Sequence, residues 1–78
     1  MREIKTLKQV QALYEKSDAD VALIIGKSVS SYTKKKTGVV PFSLDEIVTL
    51  ANTFNLTLTE VNTIFFNSML PNGNLREA

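Results

Sequence analysis

Two groups of residues in the segment 25–36 are of types that bind phosphate. Residues 26–28 are Gly-Lys-Ser, the last three residues of a nucleotide-binding P-loop, and residues 34–36 are three consecutive lysines. A P-loop also needs a glycine five positions before its Gly-Lys-Ser, because successive backbone N–H groups wrap the phosphates. Val21 occupies that position. We therefore expect no nucleotide site, and the glycine and lysines need another explanation.

The composition argues against enzyme chemistry. The 78 residues include no histidine and no cysteine, so imidazole and thiolate are excluded as metal ligands, nucleophiles and general bases. Carboxylates do not cluster along the chain either. We expect no enzymatic activity, no metal, no cofactor and no small-molecule substrate.

The length and composition predict one small domain. A chain of 78 residues that is 44% apolar and 22% charged is suited to a single hydrophobic core. The lack of cysteine favours a reducing compartment. No apolar run approaches the roughly 20 residues that cross a bilayer, and the first residues have no signal-peptide core. We expect a cytoplasmic protein with no membrane partner.

The net charge of +1 conceals a division along the chain. Residues 1–38 carry eight basic and four acidic side chains, hence +4, whereas residues 39–78 carry one basic and four acidic side chains, hence −3. The first half could therefore face a polyanion. Ordinary solubility explains four surplus charges equally well.

Apolar residues that recur at intervals of three and four predict five short helices. Serine or threonine followed three residues later by an acid, at Ser17, Ser43 and Thr57, predicts helix starts, and Gly26 predicts a helix end. The expected helices cover about 6–14, 18–25, 28–36, 44–54 and the segment after 57. A strand over 20–25 is the main alternative, because that run is apolar and β-favouring. The expected inward residues are Leu7, Val10, Leu13 and Tyr14 on the first helix, Leu44, Ile47, Val48, Leu50, Ala51 and Phe54 on the fourth, and Leu58, Val61, Ile64 and Phe65 on the fifth.

The second and third predicted helices have the spacing of a helix-turn-helix. That geometry needs a small residue in its first helix, a glycine four residues later in the turn, and an apolar residue six positions beyond the glycine. Ala22, Gly26 and Tyr32 have these spacings, and Val21 and Ile25 occupy the inward positions beside them.

With these residues the chain resembles the Cro/C1-type helix-turn-helix family, also called the xenobiotic-response-element family, which includes small temperate-phage repressors and Cro proteins. The resemblance covers roughly residues 7–66 and extends to Gly38, Pro41, the fourth helix and the Leu-Thr start of the fifth at Leu56. It implies an all-α, compact five-helix, lambda-repressor-like domain with a helix-turn-helix formed by helices 2 and 3. We assign this domain to residues 1–70. Because Pro71 and Gly73 interrupt regular structure, we expect a flexible tail over 71–78.

The resemblance also implies roles for individual residues. The third helix would enter the major groove of double-stranded operator DNA with its first turn foremost. By match to the family's positions, the base-contacting set is Val29, Ser30 and Lys34, flanked by Ser28, Ser31 and Thr33. The expected phosphate-contacting set is Lys8, Lys27, Lys35, Lys36 and Gly38. For the serines the alternative is a solvated helix face, and for the lysines it is a favourable interaction with the helix dipole.

The resemblance predicts a sequence-specific transcriptional regulator of phage or mobile-element type that occupies operator DNA in a bacterial host cell. The last helix and its exit carry more apolar surface than so small a helix can bury, which predicts a homodimer through Phe65, Phe66, Met69 and Leu70. The alternative is that Phe65 belongs to the core and the other three residues form a frayed helix end. A second hypothesis keeps the fold but makes it a protein-interaction module, a modulator or antirepressor that binds a repressor protein. It is motivated by Lys27 and Lys35, where the family usually has apolar residues, and by Leu23 and Ile24, where it usually has polar ones. For Leu23 and Ile24 the simpler explanation is that the second helix is slightly rotated and buries a wider face in the core.

Overall fold

The structure, a computed structural model, describes residues 4–66, which form five α-helices and, within that range, no β-strand. The helices are α1 (Leu7–Tyr14), α2 (Asp18–Ile24), α3 (Val29–Lys36), α4 (Leu44–Thr53) and α5 (Leu58–Phe66). The all-helical class is confirmed, and the alternative strand over 20–25 is wrong because α2 covers most of it. No helix of the described residues is long and apolar enough to cross a membrane. The tail predicted over 71–78 lies outside the described residues.

Side-chain caps explain where the helices begin. The hydroxyl of Thr6 accepts the N–H of Gln9 in α1, and the Gln9 side chain accepts the N–H of Thr6 in return. The same reciprocal box joins the residue pairs 17 and 20, 43 and 46, and 57 and 60 at the starts of α2, α4 and α5. Each cap satisfies backbone donors that the helix leaves open and contributes roughly 1 kcal/mol. The sequence pattern therefore located the starts of α2, α4 and α5 without any tertiary information, whereas the box at Thr6 was not predicted.

Residues in the left-handed backbone conformation explain where four of the helices end. Glu15 and Asn55 have φ of 55° and 57°, and Gly26 and Gly38 have φ of 69° and 88°. After each of these residues, the next N–H bonds back to a carbonyl near the end of the preceding helix, at 2.9 Å in all four cases. This arrangement closes the helix by satisfying its last carbonyl groups.

One core holds the helices together. The side chains that solvent does not reach or barely reaches belong to Val10 of α1, Val21 of α2, Tyr32 of α3, and Leu50 and Phe54 from α4 and its C-cap. Each of the first four helices therefore contributes to the same cluster, while α5 adds the half-buried Ile64 and Phe65 against it. The position of α3 is consequently fixed by a fully buried aromatic ring.

Four residues predicted to face inward are exposed instead. Leu13, Leu44, Val48 and Leu58 have relative exposures of 51%, 72%, 48% and 53%. In α1 the inward face follows spacings of three, four and seven from Leu7, which places position 11 inside and position 13 outside. Leu44 and Leu58 are the first residues of their helices, and Val48 lies one turn after Leu44 on the same outward face. The predictions for these four residues are wrong for that geometric reason.

Candidate nucleic-acid interface

A tight turn joins α2 to α3 around Gly26. Val21 and Ala22 are buried on the inner side of α2, and Ile25 is half-buried against the core. The N–H of Gly26 donates to the carbonyl of Leu23 at 3.1 Å, and the next N–H donates to the carbonyl of Ala22 at 2.9 Å. The positive φ of Gly26 permits this pair of bonds. The two helices pack against each other as a result.

One face of α3 is exposed, and most of the predicted base-contacting residues lie on it. Tyr32 is fully buried on the opposite side, so the helix is oriented by that ring. Val29, Ser30, Thr33 and Lys34 are exposed. Because residues four apart lie on the same side of a helix, these four form one stripe. We call them the α3 stripe.

The hydroxyl groups around the α3 stripe have defined local partners. Ser28, the N-cap of α3, accepts the N–H of Ser31 at 3.1 Å. The hydroxyl of Thr33 donates to the carbonyl of Val29 at 2.9 Å. Each hydroxyl keeps hydrogen-bonding capacity, since Ser28 can still donate and Thr33 can still accept. Ser31 is half-buried beside the stripe.

Lys35 is committed to an internal ion pair. Its Nζ lies 2.9 Å from Oε1 of Glu46, and its side chain is only 11% exposed. Burial raises the pKa of Glu46, but the N–H of Ser43 and the Lys35 ammonium more than offset that effect, so the pKa is lowered overall. Lys35 therefore ties α3 to α4. The predicted phosphate contact of Lys35 stays a prediction, and we leave it out of the proposed interface because a phosphate would have to displace Glu46.

Lys36 is shared between an ion pair and solvent. Its Nζ lies 2.9 Å from Oδ1 of Asp18 and 5.9 Å from the ring centre of Tyr32, and its side chain is 25% exposed. Hydrogen bonds from Gln11 and then from Lys36 lower the pKa of Asp18. The contact draws α3 towards the start of α2. A phosphate would have to compete with Asp18 for this cation.

The remaining predicted phosphate contacts are on the surface. Lys8 on α1, Lys27 in the turn and Gly38 after α3 are exposed. Gly38 has open space where a Cβ would be, so its backbone is accessible. Thus Lys8, Lys27, Lys36 and Gly38 are the phosphate-contacting candidates of the proposed interface.

A buried polar network was missed in the sequence. The Nε2 of Gln11 donates to Oδ1 of Asp18 and to the carbonyl of Lys16, both at 3.0 Å, and its Oε1 accepts the hydroxyl of Tyr32 at 2.7 Å. Burial is the main cause that raises the pKa of Tyr32 far above its ordinary value. Gln11 thereby connects α1, α2 and α3. The spacing of four from Leu7 indicates an inward position, but the helical pattern is read from apolar residues and glutamine is polar.

Leu23 and Ile24 differ in the structure. Ile24 is half-buried and packs against the core, which agrees with a widened core face. Leu23 is 79% exposed on the outer side of α2. The simpler explanation is therefore right for Ile24 and wrong for Leu23, because the two side chains point about 100° apart around the helix.

The predicted dimer surface is described only in part. The ring of Phe65 packs edge-on against Phe42 with their centres 5.1 Å apart, and both Phe65 and Phe66 are half-buried. All six residues in 61–66 have this intermediate exposure. Met69 and Leu70 lie outside the described residues. The described part of α5 therefore leaves some apolar surface in contact with solvent.

The comparisons with known proteins add no relative. No family model, no curated protein and no solved structure matches this chain. Within residues 4–66 no group of three or more His, Cys, Asp or Glu side chains is placed to hold a metal ion. The similarity to the Cro/C1 family accordingly stays a prediction from residue types and spacing.

Proposed function

We propose that this protein is a sequence-specific DNA-binding transcriptional regulator in which α2, the Gly26 turn and α3 act as a helix-turn-helix. The observation that carries the proposal is the α3 stripe, an exposed helix face without a carboxylate, opposite the fully buried Tyr32. A helix supported in this way can enter the major groove with its first turn foremost. Val29 would contact a thymine methyl, Ser30 a base edge, and Lys34 the O6 or N7 of guanine.

Cations on both sides of the stripe would hold the DNA backbone. Lys27 precedes α3, Lys36 ends it, and Lys8 extends from α1, so phosphates on either side of the groove would meet a lysine. Asp18 and Asp20 at the start of α2 work against this attraction. Their capping and ion-pair roles stabilise the helices at some cost in DNA affinity.

Dimerisation through α5 would give the regulator two copies of the α3 stripe. The half-buried Phe65 and Phe66 support a contact between two molecules, with Met69 and Leu70 as the predicted continuation. Two half-sites would then be separated by one turn of DNA, about 34–36 Å. Occupation of such an operator would exclude RNA polymerase from an overlapping promoter.

Binding selection from a random duplex library, followed by anisotropy titrations at several salt concentrations, tests the proposal. Three lysine–phosphate contacts predict a slope of log K against log salt of about −3 per protomer. Lys34→Gln should reduce preference at one base position, by about 1–3 kcal/mol, whereas Lys27→Gln should weaken all sequences alike. Lys16→Gln, outside the proposed interface, is the matched control. Failure to enrich any sequence, together with a flat salt response, would overturn the proposal.

A second candidate function follows from Leu23. A leucine that is 79% exposed on α2 supports docking of another protein, such as a repressor, on the outer side of this helix. Leu23→Ser should then weaken binding to a repressor encoded next to this gene and leave DNA binding unchanged. Equal binding of the repressor by the variant and the original chain would exclude this surface.

A further inference from the structure

An open groove of about 650 Å³ lies where the start of α1, the end of α3, the loop before α4 and the end of α5 meet. Its size falls within the range of roughly 300–1,000 Å³ that is usual for small-molecule sites. The groove borders the proposed DNA interface, because Lys8, Lys36 and Gly38 line it. The α3 stripe is not part of its lining.

The lining of the groove combines an apolar floor with a cationic rim. Phe42 and Phe65 meet edge-to-face with ring centres 5.1 Å apart and form the floor together with the buried Ile47. Lys5 and Lys8 lie on the rim and are exposed. Among the described residues that line it there is no Asp or Glu. An uncharged ligand would not use the rim, and a bare inorganic anion would not use the floor.

We propose that this groove binds a small amphiphilic anion, with an apolar body on the aromatic floor and one carboxylate, sulfonate or phosphate group at the lysine rim. The regulatory part of the proposal rests on the proposed function. Lys8 and Lys36 are candidate DNA phosphate contacts as well as lining residues, and Lys36 already pairs with Asp18. The bound anion therefore competes with the DNA backbone mainly for Lys8. Such a ligand acts as an effector that releases the operator.

The probe for the test is anilinonaphthalene sulfonate, which has an apolar body and one sulfonate. Its fluorescence should rise and shift to the blue on binding to the full chain, with saturation at one probe per chain. Val40→Asp is the informative variant, because Val40 lines the groove and is 38% exposed, so a carboxylate there repels the sulfonate without emptying the core. Val39→Asp is the matched control, since Val39 is 72% exposed and does not line the groove.

We expect Val40→Asp to weaken binding of the probe by roughly tenfold and Val39→Asp to leave it within about twofold. Near-UV circular dichroism must stay unchanged in both variants, because a molten state also binds this probe. Equal affinity of the two variants would overturn the proposal, and so would binding without saturation. Phe65 and Phe66 line the groove and also belong to the predicted dimer contact. Loss of the probe signal as protein concentration rises would therefore overturn the effector role, because a second copy would then cover the groove in the DNA-binding dimer.

A displacement assay separates the regulatory part from the proposed function. If the chain binds its selected DNA, the probe should displace that DNA from the original protein but not from Val40→Asp at the same concentration. Simultaneous binding of probe and DNA would overturn the competition. If no DNA is bound at all, the proposed function fails, while the fluorescence titration still decides whether the groove binds an amphiphilic anion.

Discussion

Three adjacent lysines have three different environments in this protein. Lys34 is exposed on the α3 stripe, Lys35 pairs with Glu46, and Lys36 pairs with Asp18. Successive residues of an α-helix point about 100° apart, so a run in the sequence is not a patch on the surface. The role of each lysine therefore depends on the helix that its side chain contacts, which is α4 for Lys35 and α2 for Lys36.

Replacement of Lys35 should affect folding rather than DNA binding. Lys35→Met would leave the carboxylate of Glu46, whose side chain is 7% exposed, without its ammonium partner. We expect the free energy of unfolding to fall by about 1–3 kcal/mol, measured by urea denaturation. Lys34→Met on the same helix is the control and should change it by less than about 0.5 kcal/mol. Equal effects of the two substitutions would show that the Lys35–Glu46 pair does not stabilise the fold.

At the scale of the helices, the sequence predicted what depends on local chemistry. Caps such as Ser17 and Ser43 and the glycine at position 26 act within four residues, so the helix bounds followed from them within about a residue. Contacts across helices did not follow, because nothing local specifies that Lys35 meets Glu46 or that Gln11 lies inside. The inward orientation predicted for the first residues of α4 and α5 was wrong for a similar reason. The side chains of a helix's first turn can point away from the core even when their spacing matches the apolar face.

The ends of the helices offer a prediction of stabilisation. Glu15 has φ of 55°, in the region that costs a residue with a Cβ about 1–2 kcal/mol. A glycine avoids that cost but loses roughly 0.5–1 kcal/mol through the entropy of the unfolded chain. Glu15→Gly should therefore raise the free energy of unfolding by about 0.5–1 kcal/mol in a urea titration.

Replacement of a glycine in the left-handed conformation should have the opposite effect and destabilise the turn between α2 and α3. Gly26 has φ of 69°, and a Cβ there would meet no atom within 4 Å. Gly26→Ala should consequently cost about 0.5–1 kcal/mol without a steric clash, because the lower entropy of the unfolded alanine chain offsets part of the backbone strain. Gly26→Asn should cost less, because asparagine adopts this conformation more readily. If alanine and asparagine were equivalent here, strain at φ would not be the cause.

At the scale of the whole molecule, the last turn of α3 is held from two sides. The Lys35–Glu46 pair joins it to α4, and the Lys36–Asp18 pair joins it to the start of α2, while Tyr32 anchors the middle of the helix in the core. The candidate DNA-binding face is therefore positioned by charges as well as by apolar packing. A change in the charge of Asp18 and Glu46 should loosen this support.

Acid should weaken the fold through these two carboxylates. The pKa values of both Asp18 and Glu46 are lowered in the folded chain. A lowered folded pKa means that the carboxylate stabilises the fold above its ordinary pKa of about 4, and that this contribution is lost as pH falls through the folded value. Urea titrations from pH 7 to pH 3 should show this loss. We expect the free energy of unfolding to fall by about 1 kcal/mol from the two carboxylates together. The sum is small because Asp18 is 40% exposed and solvent screens its contribution.

The double variant Asp18→Asn, Glu46→Gln should remove most of this pH dependence. Each amide keeps an oxygen that can accept the hydrogen bonds of its site, so the local geometry is preserved while the charge is lost. The variant should be less stable than the original chain at pH 7 and approach it at pH 3. Asp45→Asn, at an exposed position of the same first turn of α4, serves as the control. An unchanged slope in the double variant would locate the acid sensitivity elsewhere in the chain, and α3 would then depend on Tyr32 for its position.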